Sequence, residues 1–313
     1  MPTLLDTLWQ LQLQPDSDPA PLFNHAAPSA DEGQALQFQL LDRWLNEGEE
    51  LGGWKIGMTS GESRDALGVG VRPSGFVLKS RIFRSGTRLP RSALYNGGVE
   101  NELCFIVGKE LGNGATPRSA KSAMAGLAPG FEINQKRLPP GSAAGLRIAD
   151  NLSNWGIVYG EPITDAQLTD DLSAMQVTLS EQTEGRNTEI ERVTSEGHMD
   201  PHYESLAILA QRLSDFSHSL QPGQQVITGA YGKTPFAVGC FAGDFSLGIG
   251  RAVLEWMLLL PAAIPAYIIA YCYTDFFEYA GPLQSVLRAA FGWQSPRDYY
   301  FPEIRSVGGA VLV

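Results

Sequence analysis

Two carboxylates two residues apart in an extended stretch are where chemistry first shows. Gly97-Gly98-Val99-Glu100-Asn101-Glu102-Leu103-Cys104-Phe105-Ile106-Val107 is β-rich and begins with a Gly pair. Alternate residues of a strand share a face, so Glu100 and Glu102 point the same way, about 7 Å apart by strand rise. Val99, Leu103, Phe105 and Val107 fall on the opposite face, which suits a core. Carboxylates side by side repel unless positive charge lies between them, and a hard, oxygen-loving cation answers that need. Glu132, in Ala128-Pro129-Gly130-Phe131-Glu132-Ile133, is a candidate third ligand. The plainer alternative is a solvated strand face.

A lysine stands in an apolar strand in Gly53-Trp54-Lys55-Ile56-Gly57-Met58-Thr59-Ser60, which reads as strand, turn and short helix. Lys55 either snorkels to the surface or faces a pocket that holds anions. Asp150-Asn151 reads as a turn or cap, or as part of a site. The glycines of Val69-Gly70-Val71-Arg72-Pro73-Ser74-Gly75-Phe76 have no phosphate-loop spacing.

These residues need a scaffold, and the chain is long enough to build one. It has 313 residues, 43% hydrophobic and 18% charged, enough for one large domain or two small ones. The net charge of -11, with no basic stripe, argues against nucleic acid as a partner. Cys104, Cys240 and Cys272 are few, odd in number and widely spaced, so they outline neither a disulfide framework nor a zinc site. A reducing cytoplasm is the expected compartment, and Met1-Pro2-Thr3-Leu4-Leu5-Asp6 lacks the basic start of a signal peptide.

Leucine spacing predicts a helix over 3–13 with Thr3 as N-cap, and a second helix over 31–48 after Ser29. Further helices are expected over 117–126 and 203–220. Strands are expected over 129–133, 155–160, 174–181, 224–228, 235–240 and 244–249. From Trp256 to Tyr273 there are 18 residues without a charge, the length of a minimal membrane span with aromatics at its ends. A buried core helix is the alternative, although Pro261 and Pro265 are unfavourable inside a soluble helix. The division expected is an N-terminal helical segment (1–50), a catalytic domain (51–255) and an apolar tail (256–313).

Taken together, the motifs resemble the 2-keto-4-pentenoate hydratase / 2-oxo-3-hexenedioate decarboxylase family of the fumarylacetoacetate hydrolase superfamily, over residues 1–250. The resemblance is carried by Trp54-Lys55-Ile56-Gly57-Met58-Thr59-Ser60, Val99-Glu100-Asn101-Glu102-Leu103, Phe131-Glu132-Ile133 with Arg137, and Ile148-Ala149-Asp150-Asn151, in matching order and spacing. It implies an α+β fold on a rolled, barrel-like mixed β-sheet, oligomeric, with N-terminal helices ahead of it. It implies Mg²⁺ or Mn²⁺ held by Glu100, Glu102 and Glu132. Lys55 and Asp150 would be catalytic, and Arg137, Asn151 and Thr228 would bind substrate. The chain departs from the family at Met199-Asp200-Pro201, where Gly-His-Pro is usual, and at Tyr231-Gly232-Lys233. Residues 256–313 resemble the early part of an iron(III)-type ABC-transporter permease, which implies a hybrid chain with membrane contact through 256–273.

The activity implied is hydration of a 2-hydroxydienoate, or its 2-oxo-enoate tautomer, at C4 in aromatic catabolism. Decarboxylation or C–C hydrolysis within the same superfamily is the alternative. So is an inert hydratase-like domain on a membrane-associated, transport-related chain. A divalent cation would act as a Lewis acid for negative charge developing on the 2-oxygen. Carboxylates around Lys55 push its pKa up, which favours an electrostatic role for it.

Overall fold

The computed structural model describes residues 2–164, 168–169, 171–183, 186–236, 240–247 and 282–293. The chain divides into two units, Met1–Ile249 and Gly250–Val313. In the first, α1 (Leu4–Leu13) and α2 (Ala30–Asn46) both start with a capping box, Thr3 with Asp6 and Ser29 with Glu32. Leu8, Leu11, Leu40 and Leu41 are fully buried on the faces their spacing predicts. Trp9 meets Trp44 edge-on at 4.7 Å between ring centroids, and this contact joins the two helices.

The main sheet is mixed. Its strands are β1 (Leu51–Ile56), β2 (Ser74–Leu78), β3 (Ile82–Arg84), β4 (Gly97–Val107), β5 (Met124–Gln135), β6 (Asn154–Tyr159), β7 (Ile163–Thr164) and β10 (Gln225–Pro235). They run in the order β2-β1-β10-β4-β5-β6-β3, with β7 also paired to β5. The β1–β10 and β3–β6 pairs are parallel and the others antiparallel. The sheet curls until β2 approaches β6. Asn151 closes that seam: its side chain accepts from Phe76 N–H at 2.8 Å and donates to Phe76 C=O at 2.9 Å. An edge strand's exposed backbone groups are thereby satisfied. Inside the curl, Val77, Cys104, Ala128, Ile157 and Ile227 form an apolar plug. A second sheet, in the order β11-β8-β9, consists of β8 (Met175–Thr183), β9 (Arg186–Thr194) and β11 (Cys240–Leu247).

Three short helices complete the unit: α3 (Pro117–Ala123), α4 (Ala144–Ala149) and α5 (His202–Ser214). Two expected helices end early. The one expected over 117–126 stops at Ala123, because Met124 already pairs with Val107 in the β4–β5 ladder. The one expected over 203–220 stops at Ser214, where Ser217 takes a φ of 61° and His218 N–H returns to Leu213 C=O at 2.9 Å. The strand expected over 224–228 runs on to Pro235 as β10, bulged between Ile227 and Gly232; of the one expected over 235–240, Pro235 ends β10, Cys240 begins β11, and 237–239 lie outside the described residues.

In the second unit a helix spans Pro282–Phe291. Among the described residues, no helix is long and apolar enough to cross a membrane. The expected helix over 256–273 lies outside the described residues.

Candidate metal centre and cleft

The β4–β5 ladder sets the floor of a cleft. Glu100 pairs directly with Glu132 across the two strands, and Glu102 pairs with Gly130, which places no side chain in its way. All three glutamates come off the inner face of the curl, above the apolar plug. One carboxylate oxygen from each lies within 4.8 Å of those of the other two. Glu102 and Glu132 are buried, while Glu100 is half-buried. They line a cleft of about 900 Å³.

Lys55 reaches this floor from β1. Its Nζ donates to Glu132 Oε1 at 2.5 Å and to Oε2 at 2.6 Å, with both residues buried. Its stem crosses Gly75 of β2, where an added Cβ would stand 2.7 Å from Lys55 Cγ. That close approach is why glycine occupies position 75. Asn154 donates to Glu132 Oε1 at 3.0 Å, and Gly229 N–H donates to Glu102 Oε2 at 2.7 Å. Gly229 holds a φ of 122°, and a Cβ there would meet Thr59 Oγ1 at 2.0 Å, so this donor requires glycine.

The charges act on one another. Burial, then the neighbouring Glu132 carboxylate, pushes Glu102 well above the usual carboxylate range. The same two causes raise Glu100. For Lys55, burial works against the ammonium. Glu132, Glu100 and Glu102 outweigh it and hold the pKa above the ordinary lysine value. Lys55 is therefore cationic at neutral pH. Three oxygen donors that repel one another suit a hard divalent cation, so this donor set fits magnesium chemistry.

The remaining residues singled out from sequence stand behind the cleft wall. Arg137 Nε donates to Asp150 Oδ1 at 2.8 Å, and Gln12 donates to the same oxygen at 3.1 Å. Burial raises the Asp150 pKa despite Arg137. Arg137 also donates to Asp150 C=O and Asn154 C=O, at 3.0 and 3.3 Å. Between those two carbonyls Asn151, Leu152 and Ser153 all take positive φ, at 56°, 51° and 62°. Such a run costs about 1–2 kcal/mol per residue and persists only where its surroundings hold it. Arg137 and Asp150 hold it from one side, and the Asn151–Phe76 clamp holds it from the other. The turn ends at Asn154, which it aims at Glu132. Asp150, Arg137 and Asn151 thus brace a donor to the site and do not line the cleft.

Thr228 likewise faces away, accepting or donating at 2.8 Å to His202 Nδ1. His202 Nε2 meets Tyr231 Oη at 2.7 Å, and Tyr231 Oη meets Ser195 Oγ at 2.6 Å. Burial lowers the His202 pKa to about 4 and raises that of Tyr231. This buried network packs behind the β10 bulge that presents Gly229. Thr228 was expected to bind substrate, whereas nothing in the sequence pointed to Ser195, His202 or Tyr231, nor to Asn154 or the Gly229 amide. The only available signals were an asparagine in a turn and a glycine in a strand.

No family model matches the chain. It is similar to a 2-hydroxyhexa-2,4-dienoate hydratase from Comamonas testosteroni, 29% identical over 69% of this chain and 82% of that protein. A 2-keto-4-pentenoate hydratase from Paraburkholderia xenovorans is 27% identical over 65% of this chain and 75% of its own length. Among solved structures, the 4-oxalocrotonate decarboxylase of Pseudomonas putida, complexed with magnesium and adipate, superposes with a TM-score of 0.68. That match covers 77% of this chain and 91% of the decarboxylase at 18% identity, so the two share a fold.

Proposed function

We propose that the chain is a divalent-metal-dependent lyase acting on 2-hydroxydienoate or 2-oxo-enoate acids, with water addition at C4 as its reaction. The convergence of Glu100, Glu102 and Glu132 beside Lys55 carries this reading. The similarity to two hydratases of such acids supports it. Glu100, Glu102 and Glu132 would hold the cation, magnesium or manganese, which supplies Lewis acidity toward charge developing on the 2-oxygen. Lys55 Nζ stays protonated and offers positive charge to an anionic substrate. Asn154 and Gly229 N–H fix the orientation of Glu132 and Glu102. Asp150 and Arg137 act on the reaction by positioning Asn154, while Asn151 and Thr228 keep the adjoining backbone in place. Decarboxylation at the same floor is the second reading, favoured by 26% identity over 65% of this chain to a 4-oxalocrotonate decarboxylase from a Pseudomonas species.

The test follows the ultraviolet absorbance of 2-hydroxypenta-2,4-dienoate with enzyme and Mg²⁺. Absorbance should fall, EDTA should stop the loss, and Mg²⁺ or Mn²⁺ should restore it. Absence of turnover on this and longer 2-hydroxydienoates, with either metal, would sink the reading.

A cytoplasmic homo-oligomer is part of the same proposal, checked by sedimentation. Residues 256–313 form, in this reading, a permease-like tail outside the enzyme that contacts a membrane through 256–273.

A further inference from the structure

The mouth of the cleft carries charge that the reaction at its floor does not use. Lys136, just past β5, Arg147 on α4 and Lys233 on β10 are exposed and line the cleft above the glutamates. None of the three has an ion-pair partner among the described residues. Among the described residues, the only acidic ones lining the cleft are Glu100, Glu102 and Glu132. With Lys55, four cations thus face three carboxylates. A divalent ion on the glutamates would leave three positive charges in excess, in a chain whose net charge is -11. Cationic side chains gathered in a concave site focus potential and draw in anions.

Lys233 pairs directly with Glu100 across β10 and β4, and Lys136 follows Gln135, which pairs with Gly97 at the end of the β4–β5 ladder. Arg147 stands on a different element, α4. A 2-oxo acid brings one carboxylate, and Lys55 with the metal already serves that end at the floor. The surplus at the mouth calls for a second anionic group at the far end of the substrate.

Resting on the proposed function, we infer that Lys136, Arg147 and Lys233 form a distal anion subsite, and that the substrate is a dicarboxylate. Its 2-oxo acid end meets the glutamate floor and its far carboxylate meets the rim. Arg147 supplies a planar fork suited to a carboxylate, while the lysines supply point charge.

Calorimetry at saturating Mg²⁺ compares 2-oxohexanedioate with 2-oxohexanoate, which have the same chain length but differ at the far terminus. Neither compound has to be turned over. The diacid should bind at least about tenfold more tightly, the size of a modest charge-assisted contact. The ratio should fall toward one in Arg147→Gln and in Lys233→Gln, and should shrink as salt rises. Equal binding of the two acids, or a ratio unchanged in both variants, would overturn the subsite. Rescue of the ratio by Arg147→Lys would separate lost charge from misfolding. Because the readout is an affinity ratio, it stands or falls separately from the turnover assay. An enzyme that hydrates monoacids and shows no diacid preference keeps the function and loses the subsite. A protein that prefers the diacid but turns over no dienoate does the reverse.

Discussion

At the scale of single residues, the centre is a set of like charges held together by other parts of the fold. Glu102 is the most constrained, buried beside Glu132 and tied to Gly229 N–H at 2.7 Å. Glu102→Gln keeps an acceptor for that amide and removes one charge from the repelling group. It should lower turnover at least about a hundredfold, as loss of a metal-site group does. In EDTA its urea midpoint should stay equal to the parent's or rise, because like-charge repulsion is relieved. Mg²⁺ at a hundred times its dissociation constant should raise the parent's melting temperature by about 5–10 °C, and should raise that of Glu102→Gln much less. A parent that gains no stability from Mg²⁺ would remove the metal assignment. The Glu100–Glu102 spacing was legible in sequence because a strand's period is two. Asn154 and the Gly229 amide were not, because their roles exist only once β5 meets β6 and β10 bulges beside β4.

At the scale of elements, the strand beside the ligand-bearing β4 is backed by a buried hydrogen-bonded network. Behind β10, His202 keeps a neutral ring between Thr228 and Tyr231, with its pKa depressed to about 4. The sign follows from proton binding: below about 6.5 the unfolded chain takes a proton there that the native state refuses. His202 therefore costs no stability above about pH 6.5 and becomes progressively destabilising from there down to about 4, by up to about 3 kcal/mol. Glu100 and Glu102, with raised pKa values, act in the opposite sense over part of that range. The informative quantity is consequently the difference between the parent and His202→Gln, whose amide still reaches both hydroxyls. Urea denaturation should show that difference moving in favour of the variant as pH falls from 7 to 4.5. A difference independent of pH would mean that the ring is protonated in the folded chain. The network was hidden in sequence, since Ser195, His202, Thr228 and Tyr231 follow no local period. The helices over 3–13 and 31–48 were plain because leucine spacing and capping residues are local signals.

At the scale of the whole chain, every described residue that lines the cleft lies between Lys55 and Pro235, where the last strand of the curled sheet also ends. Among the described residues, the last strand of either sheet ends at Leu247. Trp256–Tyr273 carries no charged side chain, and the membrane contact proposed above rests on that run. A chain ending at Glu255 should therefore express as a soluble protein, unfold in one cooperative transition and keep kcat/KM within about twofold of the full chain, as for substitutions remote from a site. The full chain should partition into the membrane fraction and resist a carbonate wash, whereas the shortened one should not. Loss of cooperative unfolding on truncation would mean that the apolar run fills the enzyme's core. Equal partitioning of the two chains would remove the membrane contact and leave the enzyme reading untouched.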